Sequence, residues 1–167
     1  LAAPADDWRN RPDMSPFTRP FRASILARAR FVEDLLAEEA ARGLGQYVLL
    51  GAGLDTFAQR RKDLASRLVV FEIDRPGPQA WKRQRLIDLG FGLPPFLRLV
   101  PVNFEAGEAW QDKLAAAGFN ARRPALLAST GVGMYLTREA NIDTLRRVAS
   151  FATGSTLVLS FMLPLEM

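Results

Sequence analysis

The residues best placed to do chemistry begin at Gly51-Ala-Gly53. These close a short apolar run, Gln46-Tyr-Val-Leu-Leu50. Glycines at such a turn let the backbone bend sharply and lie against a ligand with no side chain between them. Asp74 follows Gly53 by 21 residues and ends a second apolar run, Leu68-Val-Val-Phe-Glu-Ile73. A carboxylate there can accept both hydroxyls of a ribose, or it can simply cap the turn after its strand. Together the two features point to a nucleotide-type site. Glu72 shares Asp74's side of the strand by the two-residue period and sits earlier, hence deeper.

What is missing narrows the chemistry further. The 167 residues include no His and no Cys. That excludes a Ser-His-Asp triad, an imidazole base, a thiol nucleophile, a disulfide framework and a zinc–thiolate site. Any reaction must run on carboxylates, Arg, Lys, Tyr, Ser or Thr, or on a cofactor that carries the reactive group itself. With 49% apolar and 24% charged residues, the chain has ordinary globular composition and can bury a sizeable core. Its 22 basic and 18 acidic residues give +4. The charges are interspersed, with short clusters at Arg60-Arg61-Lys62 and Lys82-Arg83-Gln84-Arg85, which suits solubility better than nucleic-acid binding. No apolar run is long enough for a membrane span, and no signal pattern opens the chain. The expectation is a cytoplasmic protein.

The elements that must position these residues follow from periodicity. Residues 1–20 carry four of the eleven prolines and read as an arm or lid. From Phe21, Ile25, Ala29, Val32 and Leu36 form one helical stripe that stops at Gly43. Arg28 borders that stripe, while Arg30 lies about 200° further round the helix, toward solvent. Arg28 can therefore meet a ligand carboxylate or form a structural ion pair. A short helix is expected over 55–65. A helix over 79–89 is expected after the breaker Pro76, a strand over 97–102 and a helix through Trp110, Leu114 and Ala117. Beyond Gly118 come a strand over 125–128, a helix capped by Thr137 and a strand over 155–163. Alternating helices and near-continuous apolar strands predict an α/β fold with a doubly wound, mostly parallel sheet over residues 21–167. Trp110 falls on a core stripe, Trp81 begins a helix after a proline turn and packs at its edge, and Trp8 lies in the arm.

Taken jointly, Gly51-Ala-Gly-Leu-Asp-Thr56, Phe71-Glu-Ile-Asp-Arg-Pro76 and Gly131-Val-Gly-Met-Tyr-Leu136 resemble the leucine carboxyl methyltransferase family. The resemblance runs over roughly residues 20–163 and implies a class I, Rossmann-like S-adenosylmethionine-dependent O-methyltransferase. It implies a cofactor site built from Arg28, Gly51, Gly53, Asp55, Asp74, Asn103, Phe104 and Thr130. In it, Arg28 pairs with the methionine carboxylate, Gly51 meets the methionine end, Asp74 takes the ribose, and Asn103-Phe104 meets the adenine. The family dipeptide usually begins with Asp; Asn103 still offers an acceptor oxygen. Thr130 stands where the family often has Glu. A sulfonium-borne methyl group needs an aligned acceptor and excluded water, which a chain without His or Cys can provide. A carboxylate acceptor is already ionised and needs no base. Tyr135 is a candidate for the acceptor pocket, or else a core tyrosine at a turn.

Two other readings compete with this one. An NAD(P)-dependent oxidoreductase shares the glycine turn and the ribose acid, but the third fingerprint glycine is absent and Asp55 disfavours a pyrophosphate. A non-catalytic cofactor- or partner-binding module is the other. Family members continue past the fifth strand, so the domain is expected to be C-terminally incomplete. Its exposed fifth strand would then be covered by a partner chain or a second copy.

Overall fold

The computed structural model describes Pro16 and residues 18–161. Among them are five strands: β1 Gln46–Leu50, β2 Val69–Asp74, β3 Leu97–Pro101, β4 Leu126–Ser129 and β5 Thr156–Leu159. Six α-helices accompany them: α1 Arg19–Ala41, α2 Phe57–Arg60, α3 Lys62–Ala65, α4 Pro76–Asp88, α5 Trp110–Ala116 and α6 Arg138–Ala149. Every strand pair is parallel, and the order is β3-β2-β1-β4-β5. The chain steps outward from β1 to β3, then returns to lay β4 on the other side of β1. With right-handed crossovers, that reversal puts helices on both faces, which is the doubly wound sheet expected from the sequence. It also opens a crevice beyond the C-terminal ends of β1 and β4, where such sheets bind ligands.

The two faces are built from alternate residues. Val48, Leu50, Phe71, Ile73, Val100 and Leu127 point to one side and pack with Trp110 and Leu114 of α5. Val148 of α6 and Phe151 close over that cluster, with Trp110 and Phe151 edge-to-face at 5.9 Å. Tyr47 points the other way and meets Phe57 of α2 edge-on at 5.2 Å. Glu72 lies on that second face and is fully buried. At the opposite end of the sheet, the side chain of Gln46 reads one loop. Its Nε2 donates to the carbonyls of Asn120 at 3.0 Å and Arg123 at 3.3 Å, and its Oε1 accepts from the Asn120 N–H at 2.8 Å.

By compactness the chain divides inside α1, into Leu1–Leu35 and Leu36–Met167. In the first unit α1 begins at Arg19, two residues before the expected Phe21. Arg30 is exposed, as expected, and pairs with Asp34 at 2.8 Å. Ile25, placed on the apolar stripe by its spacing, is exposed. Most of the expected arm, Trp8 included, lies outside the described residues.

Several boundaries differ from the sequence expectation. The strand expected over 155–163 is shorter: β5 covers Thr156–Leu159, and Ser160 and Phe161 lie outside it. Pro76 does not break the chain but opens α4, because a proline at the first helical position gives up no intrahelical N–H. The segment 55–65 is two four-residue helices, since the Arg61 backbone leaves helical geometry between them. Trp81 stands half exposed within α4 rather than at its start, whereas Trp110 is buried as expected.

Candidate functional site

The turn after β1 is held almost entirely from within. Gly51 and Ala52 both donate their N–H to the Ile73 carbonyl of β2, at 2.8 and 3.0 Å. Gly53 donates to Asp74 Oδ2 at 2.5 Å, and the Asp55 N–H reaches the Ala52 carbonyl at 2.9 Å. The Asp55 carboxylate accepts the N–H of Phe57 at 2.7 Å and so occupies the start of α2. Gly51 and Gly53 have φ of +68° and +50°, left-handed backbone that favours glycine. At Gly51 a Cβ would lie 2.5 Å from Val132 Cγ2. The close backbone approach anticipated there is therefore made by the loop after β4.

Asp74 ends β2 half-buried. Its Oδ1 accepts its neighbour's N–H, from Arg75, at 2.6 Å, while Oδ2 holds Gly53. A carboxylate has about four acceptor positions, so binding two N–H groups leaves it able to accept ligand hydroxyls. Capping and ribose binding, alternatives in the sequence, are compatible in this geometry. Beyond β3, Asn103 Oδ1 accepts from the Glu105 N–H at 3.2 Å and caps a 3-10 turn over 104–106. Phe104 is half-buried, with its ring edge-on to Trp110 at 6.3 Å.

The sequence did not disclose what lies behind this turn. Lys82 of α4, counted in sequence within a basic surface cluster, is only 5% exposed. Its Nζ lies 2.5 Å from Glu72 Oε2 and donates to the Asp55 carbonyl at 2.7 Å. Gln79, one turn earlier, donates from Nε2 to the Glu72 carbonyl at 2.5 Å. Burial pushes the Glu72 carboxyl up to about 7 against the pull of Lys82, and the neighbouring Asp55 and Asp74 push the same way. Glu72 Oε1 is buried with no hydrogen-bond partner. The one legible signal was Glu72 itself, an acid within an apolar strand that needs a counterion.

On the far side of β1, the chain leaves β4 through half-buried Thr130 and Gly131, whose N–H donates to Ser160 Oγ at 2.8 Å. A 3-10 turn over 133–135 follows. Tyr135 is 78% exposed, which removes the core-tyrosine alternative. Glu105 joins this loop to the Asn103 turn by accepting from the Thr137 N–H at 2.7 Å and from its hydroxyl at 3.2 Å. Thr137 Oγ1 in turn accepts the Ala140 N–H and caps α6, as expected. An apolar hollow beside the loop is lined by Met134, Leu136, Leu145, Leu157 and Leu159, with Asn141 at its edge. Arg28 belongs to the first unit, where its Nε is buried without a partner. Among the described residues no acidic, His or Cys cluster could hold a metal, and no helix is long and apolar enough to cross a membrane.

Residues 2–149 match the family model of the leucine carboxyl methyltransferases. The chain is 37% identical over 137 residues to YktD of Bacillus subtilis (strain 168), covering 81% of this chain and 44% of that protein. It is 34% identical over 149 residues to a protein of Mycolicibacterium gilvum, covering 89% of this chain and 58% of that one. A Streptomyces coelicolor relative, SCO6443, is 38% identical over 149 residues, covering 87% and 48%. All three are named as S-adenosyl-L-methionine-dependent methyltransferases. The chain spans about half the length of these relatives.

Proposed function

The chain belongs to the leucine carboxyl methyltransferase family, and from that premise we propose that it forms the S-adenosylmethionine-binding part of an O-methyltransferase acting on a small molecule. The observation that carries this reading is the turn after β1. The N–H groups of Gly51, Ala52, Gly53 and Asp55 are all taken up inside the protein, and the Asp55 carboxylate occupies the start of α2. A dinucleotide's pyrophosphate needs such donors and a positive helix start. A ligand that brings its own hydroxyl and ammonium donors needs acceptors instead, and Asp74 offers them. The oxidoreductase alternative is correspondingly disfavoured.

The cofactor would supply a methyl group already activated on a sulfonium. The chain's own task is then binding, alignment and exclusion of water. In this reading Asp74 accepts the ribose hydroxyls, Phe104 packs on the adenine ring, and Asn103 accepts from its amino group beside the Glu105 N–H it already holds. Gly51, Gly53 and Asp55 shape the turn, and Thr130 follows the end of β4; for Arg28 the family resemblance alone supports a role, pairing with the methionine carboxylate. Tyr135 lines the acceptor side and is the one titratable side chain between Thr130 and Thr137. Because that loop offers no group that acts as a base near neutral pH, an acceptor carboxylate suits it better than a hydroxyl.

Titration calorimetry with S-adenosylhomocysteine, and with NADH in parallel, tests the reading. The wild type should bind S-adenosylhomocysteine and not NADH, and Asp74→Ala should weaken the former at least tenfold. Binding of NADH alone, or of neither by a folded chain, would overturn it.

A further inference from the structure

A buried ammonium must place its donors on oxygen and have its charge balanced. Lys82 does both: Glu72 from β2 balances the charge, and the Asp55 carbonyl takes another donor. The second contact concerns the turn rather than the core. From β2, the Ile73 carbonyl and the Asp74 carboxylate hold the turn at Gly51, Ala52 and Gly53. From α4, Lys82 holds it at Asp55. The pair is poorly arranged as a purely stabilising element. One carboxylate oxygen of Glu72 is left without a partner, and a buried ion pair is in general no more stabilising than an apolar replacement of its volume.

We propose that Lys82 is a positioning residue for the cofactor turn: held by Glu72, its ammonium fixes the Asp55 carbonyl and so sets the shape of residues 51–55 that receives the cofactor. This rests on the methyltransferase reading for its ligand, but not for the state of the turn. Glu72 acts only through Lys82. The other charged groups facing Glu72 are the Asp55 and Asp74 carboxylates, which bound the same turn.

The test compares wild type, Glu72→Gln, and the double variant Glu72→Gln with Lys82→Met, which leaves neither a buried charge nor an unbalanced one. Three readouts are taken: thermal midpoint, amide hydrogen exchange, and calorimetric titration with S-adenosylhomocysteine. Glu72→Gln strips the buried Lys82 ammonium of its counter-charge, so it should melt below the double variant, with faster exchange at Asp55 and weaker affinity than wild type. The double variant should melt within a few degrees of wild type. Its Asp55 and Gly53 amides should exchange at least tenfold faster, and its affinity should fall at least tenfold. Unchanged exchange at these amides would overturn the proposal, as would faster exchange with unchanged affinity. If wild type itself fails to bind S-adenosylhomocysteine, the methyltransferase reading falls. The exchange rates then decide on their own whether Lys82 holds the turn.

Discussion

At the scale of single residues, the two glycines of the β1 turn look alike in sequence and differ in space. A side chain at Gly51 meets Val132 at 2.5 Å and also adopts a φ of +68°, whereas at Gly53 the nearest atom, Asp74 Oδ2, is 4.0 Å away. Gly51→Ala should therefore cost about 2–4 kcal/mol, combining left-handed strain with overpacking. Gly53→Ala should cost about 1–2 kcal/mol, from strain alone. Denaturant unfolding checks both. Adding Val132→Ala to Gly51→Ala should recover the overpacking part and leave the strain. Equal costs at the two positions would contradict this account. Nothing in the sequence distinguished these glycines, because the atom that makes Gly51 indispensable belongs to Val132, 81 residues away in the chain.

Among the elements, those legible in sequence were the ones whose local pattern already answered to the core. Gln46–Leu50 is a strand buried at every position, and from Tyr47 to Leu50 it reads as an unbroken apolar run. Thr137 announced α6 because its hydroxyl does the capping itself. The four-residue helices α2 and α3 are too short to display a period, so they read as one. Lys82 misled because neighbouring basic residues suggest a solvated face, and its partner lies on a strand of another pattern. Glu105 gave no signal, since its bond to Thr137 spans 32 residues. Thr137→Ala removes both the α6 cap and one contact from Glu105, while the backbone N–H still reaches that carboxylate. It should lower stability by about 1 kcal/mol, seen as a fall in thermal midpoint. Glu105→Gln should soften the loop after β4 with a smaller change in midpoint.

For the whole molecule, Glu72 sets a pH dependence of stability. Its carboxyl is raised by burial from 4.5 to about 7, so the folded state holds the proton more tightly than the unfolded chain does. The stability this contributes is fully present below about 4.5 and is lost as pH rises through about 7. Relative to Glu72→Gln, the wild type should lose up to roughly 3 kcal/mol across that window, read from denaturant midpoints at stepped pH. A flat difference between the two proteins would refute this. A chain without histidine thus still carries a group that titrates near neutrality. The same molecule is unequal in what it tolerates at its other end. Three hydrogen bonds from Gln46 span Asn120 to Arg123, so the side chain measures the length of that connection like a gauge. One extra residue there breaks the fit. By contrast, Gly90 and Gly92 have open space around them but left-handed φ of +76° and +61°, so a tag, a fluorophore or an inserted domain should be carried best in that connection when both glycines are kept.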